Sequence, residues 1–201
     1  MNYVIISGSN RKESQSRKVS EYVKQSISKE HTSIIIDLYK ENIEMWTEDI
    51  WNPESEQSKK WNPFSTLLKE CDAVVIVAPE WAGSIPSALR NFLLHISAQD
   101  VAHKPSLIIS VSSGVGGSNP ITELRSHSVK NNHMIYIPDH VIVRHVNDVL
   151  NDIPLDELNA NDFFIKGKII RSLGILNLYA KYLKNLREEA QFDLKKYPYG
   201  M

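Results

Sequence analysis

Three short stretches of this chain carry residue types that suit an anion and a flat ring. The first, Gly8-Ser9-Asn10-Arg11-Lys12-Glu13-Ser14-Gln15-Ser16, follows an apolar run and precedes a helical pattern. Gly8 lets the backbone come close to a ligand, while Ser9, Ser14 and Ser16 offer hydroxyl donors beside the unpaired N–H groups of a helix start. That combination makes an anion cradle, and the Arg11 guanidinium is placed to add a charge-assisted pair to phosphate oxygens. Taken alone, the stretch reads equally well as a helix cap, with Ser14 capping and Arg11 and Lys12 solvated. It lacks the glycine-lysine-serine ending of a triphosphate loop and the spaced glycines of a dinucleotide fingerprint, so a monophosphate suits it better.

The second and third stretches are Pro79-Glu80-Trp81-Ala82-Gly83-Ser84-Ile85-Pro86, continuing to Asn91, and Ser112-Ser113-Gly114-Val115-Gly116-Gly117-Ser118-Asn119-Pro120. Trp81 supplies an aromatic wall. The glycines free the backbone to lie flat against a planar group and to aim N–H groups at its polar edge. Singly, each stretch is an ordinary turn signal. Rival chemistries have less to stand on. No glycine-x-serine-x-glycine elbow is present. His140 and His145 fall on opposite faces of an expected strand without a second ligand pair, so no metal site is expected. Cys71 lies between a helix and a buried strand and reads as inert packing.

The elements that must position these loops are legible as a rhythm. Apolar β-branched runs at Tyr3–Ser7, Ser33–Leu38, Ala73–Ala78, Ser106–Val111 and His133–Ile137 alternate with helical stretches at Gln15–Ser28, Ser58–Glu70, Pro86–Ile96 and Asn119–Asn131. Ala73–Ala78 and Ser106–Val111 are apolar at nearly every position, as in strands covered on both faces. The expected fold is therefore α/β, a doubly wound five-stranded parallel sheet. In such a sheet the loops leaving the carboxyl ends of the strands line one crevice, and the three stretches above are such loops.

Two segments depart from the rhythm. Glu41–Glu56 carries six carboxylates and no basic residue, and reads as a solvated excursion over Trp46 and Trp51 or as a functional flap. Asp162–Glu189 reads as an extra C-terminal helix: Ile169, Leu173, Leu176, Ala180, Leu183 and Leu186 form one stripe, and Ile175, Tyr179 and Tyr182 a second. The second stripe is expected to cover its own domain or to meet a partner subunit. Residues 1–201 are read as one domain, with about 150–201 as a C-terminal extension.

The residues together resemble the NADPH-dependent FMN reductases of flavodoxin-like fold, a family that includes azoreductases, quinone reductases and chromate reductases. The resemblance rests on Gly8, Ser9, Arg11 and Ser14; on Pro79, Glu80, Trp81, Ser84, Ile85, Pro86, Leu89, Arg90 and Asn91; and on Ser113, Gly114, Gly116 and Gly117, over about residues 2–147. It implies FMN as cofactor with NADPH or NADH as co-substrate. By position it implies FMN phosphate on Ser9, Arg11, Ser14 and Ser16. The isoalloxazine would lie against Pro79, Glu80, Trp81 and Ala82, with Ser113, Gly114, Gly116 and Gly117 toward its pyrimidine side. The family's usual tyrosine is Trp81 here, Ala82 often corresponds to asparagine or histidine, and Ser16 stands where asparagine is common. No side-chain acid or base is required, and the implied acceptor is a quinone, azo or nitro compound, metal oxyanion or free flavin. A homodimer or homotetramer is also implied. A flavodoxin-like electron carrier and a flavin-free interaction subunit remain the alternatives.

Composition agrees with a small-molecule enzyme. With 23 basic and 24 acidic side chains in 201 residues, the whole-chain field offers phosphodiester backbones no general attraction, so a nucleic-acid partner is disfavoured. No apolar stretch has the length of a bilayer span. A lone cysteine and an N-terminus unlike a secretory leader make the cytoplasm the expected compartment.

Overall fold

The computed structural model describes residues 1–152, 154, 159–190, 192–194 and 196. Strands β1 (Asn2–Ser7), β2 (Thr32–Asp37), β3 (Ala73–Pro79), β4 (Pro105–Val111) and β5 (Ile135–Val143) form one sheet in the order β2-β1-β3-β4-β5. Every pairing is parallel. β3 and β4 are buried at all positions, Ser106 and Ser110 of β4 included, as strands covered on both faces are. The period of two then sorts their side chains. Val75, Val77, Leu107 and Ile109 join Tyr3 and Ile5 in one core layer, whereas Val74, Ile76, Ala78 and Ile108 join Val4 and Ile6 in the other.

The first layer is closed by α1 (Gln15–Ser26) through Val19 and Val23, and by the long α7 (Ala160–Glu189). The second is closed by α3 (Glu56–Glu70), α4 (Ser87–His95) and α6 (Ser118–His127) through Leu68, Leu89, Phe92 and Leu124. Two four-residue turns of helix, α2 (Leu38–Glu41) and α5 (Ala98–Val101), complete the set. Lys104 ends α3 by donating from its buried Nζ to the carbonyls of Leu68 and Lys69, both at 2.6 Å. A cation at that end also opposes the helix dipole.

β5 departs most from expectation: the strand begins at Ile135 and runs on to Val143, well past the expected end at Ile137. Its register against β4 jumps from Ser106↔Tyr136 to Ile108↔His140, a bulge that contains Pro138. Arg125 on α6 bridges the bulge, its guanidinium donating to the Ile137 carbonyl at 2.7 Å and reaching those of Pro138 and Asp139 at 3.3 and 3.4 Å. His145 lies beyond the strand in a left-handed conformation, φ 47°, so it and His140 do not sit across one strand.

On α7, Asn159 caps the start by accepting from the Asp162 N–H at 2.8 Å. Ile165, Ile169, Leu173, Leu176 and Ala180 are buried, but the expected inner stripe stops there, with Leu186 exposed. Ile175 and Tyr179 of the other stripe pack at the margin of their own core, and Tyr182 is exposed. Phe163, Phe164, Ile170 and Leu178 are exposed as well.

The acidic excursion is tied down rather than free. Asn91 of α4 donates to the Glu44 carbonyl and accepts from the Trp46 N–H, each at 2.8 Å. Trp46 is half-buried and meets Trp51 edge-on at 5.4 Å, but Trp51 is 73% exposed, so only the first of the two tryptophans is sheltered.

Candidate active site

The crevice at the carboxyl ends of β1, β3 and β4 brings together Ser9, Arg11, Ser14, Ser16, Pro79, Glu80, Trp81 and Ser113 around a cleft of about 140 Å³, with Gln15, Val111 and Val146 completing its wall. β1 delivers the first loop. Gly8 donates its N–H to the Val77 carbonyl at 2.9 Å, and a Cβ on it would lie 2.8 Å from both that oxygen and Leu89 Cδ2. Its smallness therefore serves close packing of the chain against β3 and α4.

Ser14 caps α1, its hydroxyl accepting from the Arg17 N–H at 3.1 Å. The cap reading and the cradle reading are compatible, because the cap leaves other groups unspent. Among the described residues, the N–H groups of Gln15 and Ser16 have no acceptor, the buried Ser16 hydroxyl has no partner, and the exposed Arg11 makes no ion pair. Ser9 is buried and accepts from the Arg11 N–H at 3.3 Å, which orients the loop. Unpaired N–H groups at a helix start, a buried hydroxyl and a free guanidinium constitute an electropositive concavity.

The second loop is a tight turn. Trp81 and Ser84 exchange backbone hydrogen bonds at 2.8 and 2.9 Å, and the residues between them, Ala82 and Gly83, have φ of 48° and 75°. Positive φ at both central positions is the pattern of a type I′ turn. Trp81 is half-buried in the cleft wall, whereas Ala82 is exposed at the turn and outside that wall. Alanine pays about 1–2 kcal/mol for left-handed backbone, of which glycine's looser unfolded chain returns about 0.5–1 kcal/mol. Ala82→Gly is therefore expected to stabilise the protein by about 0.5–1 kcal/mol and to raise the melting temperature by about 1–4 °C, read by calorimetry.

Glu123 of α6 anchors the far side of this turn, accepting from the Ser84 hydroxyl at 2.9 Å and the Ile85 N–H at 2.8 Å and pairing with Arg90. Burial pushes its carboxyl up, but the Ile85 and Ser84 donors and the Arg90 guanidinium outweigh burial and hold it below the usual range.

The third loop differs in one respect from what its glycines promise. Gly114 donates to Ser112 Oγ at 3.2 Å and Gly117 donates to Glu80 Oε2 at 2.5 Å, so two of the three N–H groups are already engaged. Glu80 thus joins the second and third loops, a role additional to the ring contact that the family resemblance implies for it. The same carboxylate explains Gly116, where a Cβ would lie 3.0 Å from Glu80 Oε1. Arg144 braces the turn from β5's end, its Nε donating to the carbonyls of Val115 and Gly116 at 2.7 and 2.9 Å.

Lys18 is a residue that sequence reading misses. Its Nζ donates to the carbonyls of Val146 and Val149 and to Asn151 Oδ1 at 2.6–2.8 Å, holding the cleft wall at Val146 against α1. Burial draws its pKa down against the opposing pull of Asp162 and Asp148. The partners are mostly backbone carbonyls about 130 residues away, which no local pattern announces. Cys71 is buried, and burial pushes its thiol up to about 11, so it is protonated and unreactive at neutral pH. Among the described residues no group of histidine, cysteine and carboxylate side chains could hold a metal ion.

Residues 1–148 match the NADPH-dependent FMN reductase family. The chain belongs to that family. It is an oxidoreductase whose cofactor is FMN and whose electron donor is NADPH or NADH. A relative named NADPH azoreductase, from Bacillus sp. strain OY1-2, is 29% identical over 151 residues, 74% of this chain and 80% of its own length. A quinone reductase of Pseudomonas putida is 29% identical over 120 residues, 56% of this chain and 61% of its own length. Among solved structures, the NAD(P)H:(acceptor) oxidoreductase FerB of Paracoccus denitrificans superposes with a TM-score of 0.63 at 16% identity, covering 92% of this chain and 97% of that one. The fold is thus flavodoxin-like with an added C-terminal helix, α7. The family match ends at Asp148, past the end of β5 at Val143 and before the start of α7 at Ala160.

Proposed function

We propose that this FMN reductase holds the cofactor's phosphate on Ser9, Arg11, Ser14 and Ser16 and its ring system against Pro79, Glu80, Trp81 and Ala82. Ser113, Gly114, Gly116 and Gly117 lie along the pyrimidine edge in this reading. The observation that carries it is the unpartnered Ser16 hydroxyl, buried beside two unpaired N–H groups and within reach of the same cleft as the free Arg11. A buried polar atom without a partner is costly, and a phosphate oxygen would satisfy it. Held there, FMN would supply the redox chemistry between the nicotinamide donor and the acceptor.

The chain's own part is to bind, orient and polarise. The turn Trp81–Ser84 fixes the aromatic wall against which the ring system lies, and the third loop, its Gly114 and Gly117 N–H groups held by Ser112 and Glu80, is preset and needs no reorganisation during turnover. Glu80 holds that loop in place through Gly117. A planar quinone or azo compound is the acceptor class that the named relatives favour. The test is anaerobic mixing of the FMN-loaded protein with NADPH or NADH in a stopped-flow spectrometer. The oxidised-flavin absorbance is expected to bleach and to return when a quinone is added. A flavin that nicotinamide never bleaches would make the protein an electron carrier instead.

The exposed Phe163, Ile170, Leu178 and Tyr182 of α7 support assembly into a homodimer or larger homo-oligomer, which light scattering at micromolar concentration reads directly. No helix among the described residues is long and apolar enough to cross a membrane. A cytoplasmic location is part of this proposal, supported by the buried free thiol of Cys71.

A further inference from the structure

A cavity of about 410 Å³ lies between the acidic excursion, α3 and the end of α4, and shares no residue with the cleft described above. Its size is in the range of small-molecule sites. Trp61, Phe64 and His95 form the wall, with ring centroids 5.6 Å apart for Trp61–Phe64 and 5.0 Å for Trp61–His95. The opposite wall is the segment that Asn91 pins through Glu44 and Trp46. Gln57 pins it again, donating to the Met45 carbonyl at 2.6 Å. The cavity is therefore a built feature of the fold.

His95 gives it chemical direction. The residue is 5% exposed, and its Nδ1 lies 2.9 Å from the Asn91 carbonyl. A carbonyl only accepts, so Nδ1 carries the proton and Nε2 is left as a lone-pair acceptor with no protein donor among the described residues. Burial lowers the pKa of His95, which keeps the ring neutral at neutral pH. At the mouth stand Glu44, paired with Lys60, and Glu41, which makes no ion pair among the described residues. The mouth thus retains one uncompensated negative charge.

We propose that this cavity is a second small-molecule site, one that takes a planar aromatic amine: the ring against Trp61 and Phe64, a ring N–H donated to His95 Nε2, and a cationic nitrogen toward Glu41. An aromatic ring stacks there at little entropic cost, the neutral imidazole accepts one hydrogen bond, and the carboxylate disfavours aromatic anions. The site shares no lining residue with the flavin cleft, so its occupancy is expected not to depend on FMN.

Tryptamine is the probe, and indole-3-acetate, with the same ring and the opposite charge, is the comparator. Calorimetric titration of the FMN-loaded protein is expected to show one tryptamine per chain, with affinity unaltered by excess FMN, and indole-3-acetate about two- to fivefold weaker or worse. Glu41→Gln should abolish that preference, and His95→Phe should weaken both ligands about two- to tenfold. Because His95 is buried, Ile43→Trp provides a second route: it fills the cavity from the opposite wall and should eliminate binding while flavin content stays normal. Absence of saturable tryptamine binding, competition by FMN, or a charge preference that survives Glu41→Gln would each overturn the proposal.

Discussion

Replacing Arg11 with alanine is expected to weaken FMN binding about ten- to a hundredfold while leaving riboflavin binding unchanged. A charge-assisted hydrogen bond is worth about 1.5–3 kcal/mol, which converts to that range of dissociation constant. Riboflavin has the ring and the ribityl chain but no phosphate, so it reports everything in the site except the cradle. Arg11 is exposed and makes no ion pair among the described residues, so the flavin-free variant should melt with the parent. Fluorescence titration of both ligands against both proteins decides the matter. A parent that barely distinguishes FMN from riboflavin, or a variant that weakens both equally, would remove the phosphate from this loop.

The largest effect on stability is expected at Gly117. It has φ of 103°, and a Cβ there would lie 2.5 Å from Ile142 Cγ2 on β5. Both the backbone conformation and the space are denied to alanine. Strain of about 1–3 kcal/mol and overpacking of similar size put Gly117→Ala at about 3 kcal/mol of lost stability, or about 6–12 °C in melting temperature. Gly114→Ala is the control, because no atom lies within 4 Å of its Cβ position and its φ is not positive; it should stay within about 0.5 kcal/mol of the parent. Thermal unfolding of the pair separates a glycine that the fold requires from one that it merely contains. Equal losses in the two variants would show that the turn as a whole is intolerant and that Ile142 is not the reason.

The same two glycines show where sequence is informative. Consecutive apolar residues such as Ala73–Ala78 and Ser106–Val111 announce buried parallel strands because the requirement is local: every side chain meets a covered face. The loops leaving those strands were legible for the same reason, and Ser9, Arg11, Ser14, Ser16, Pro79, Glu80, Trp81 and Ser113 do share one cleft. What stays hidden is the use of each group. Gly8 also spaces the chain against Val77 and Leu89, which come close only when β1, β3 and α4 pack. Lys18 clamps carbonyls about 130 residues along the chain, a pairing that only the folded sheet brings together. The far end of β5 lies beyond a proline, which withholds an N–H from a ladder, and the sheet absorbs Pro138 in a bulge and continues.

That bulge has a bearing on how copies of this chain can meet. β5 is the last strand of the sheet, and an outer strand with regular, unpaired N–H and C=O groups is a template onto which another chain can zip. Here the row is broken in the middle: Pro138 has no N–H to offer, and Arg125 already occupies the carbonyls on either side of it. An incoming strand would find no continuous ladder along β5. Self-association on this side of the molecule must therefore proceed through side chains, which can be tuned and reversed one residue at a time, and the bulge acts as a guard against runaway sheet extension and the aggregates that follow from it.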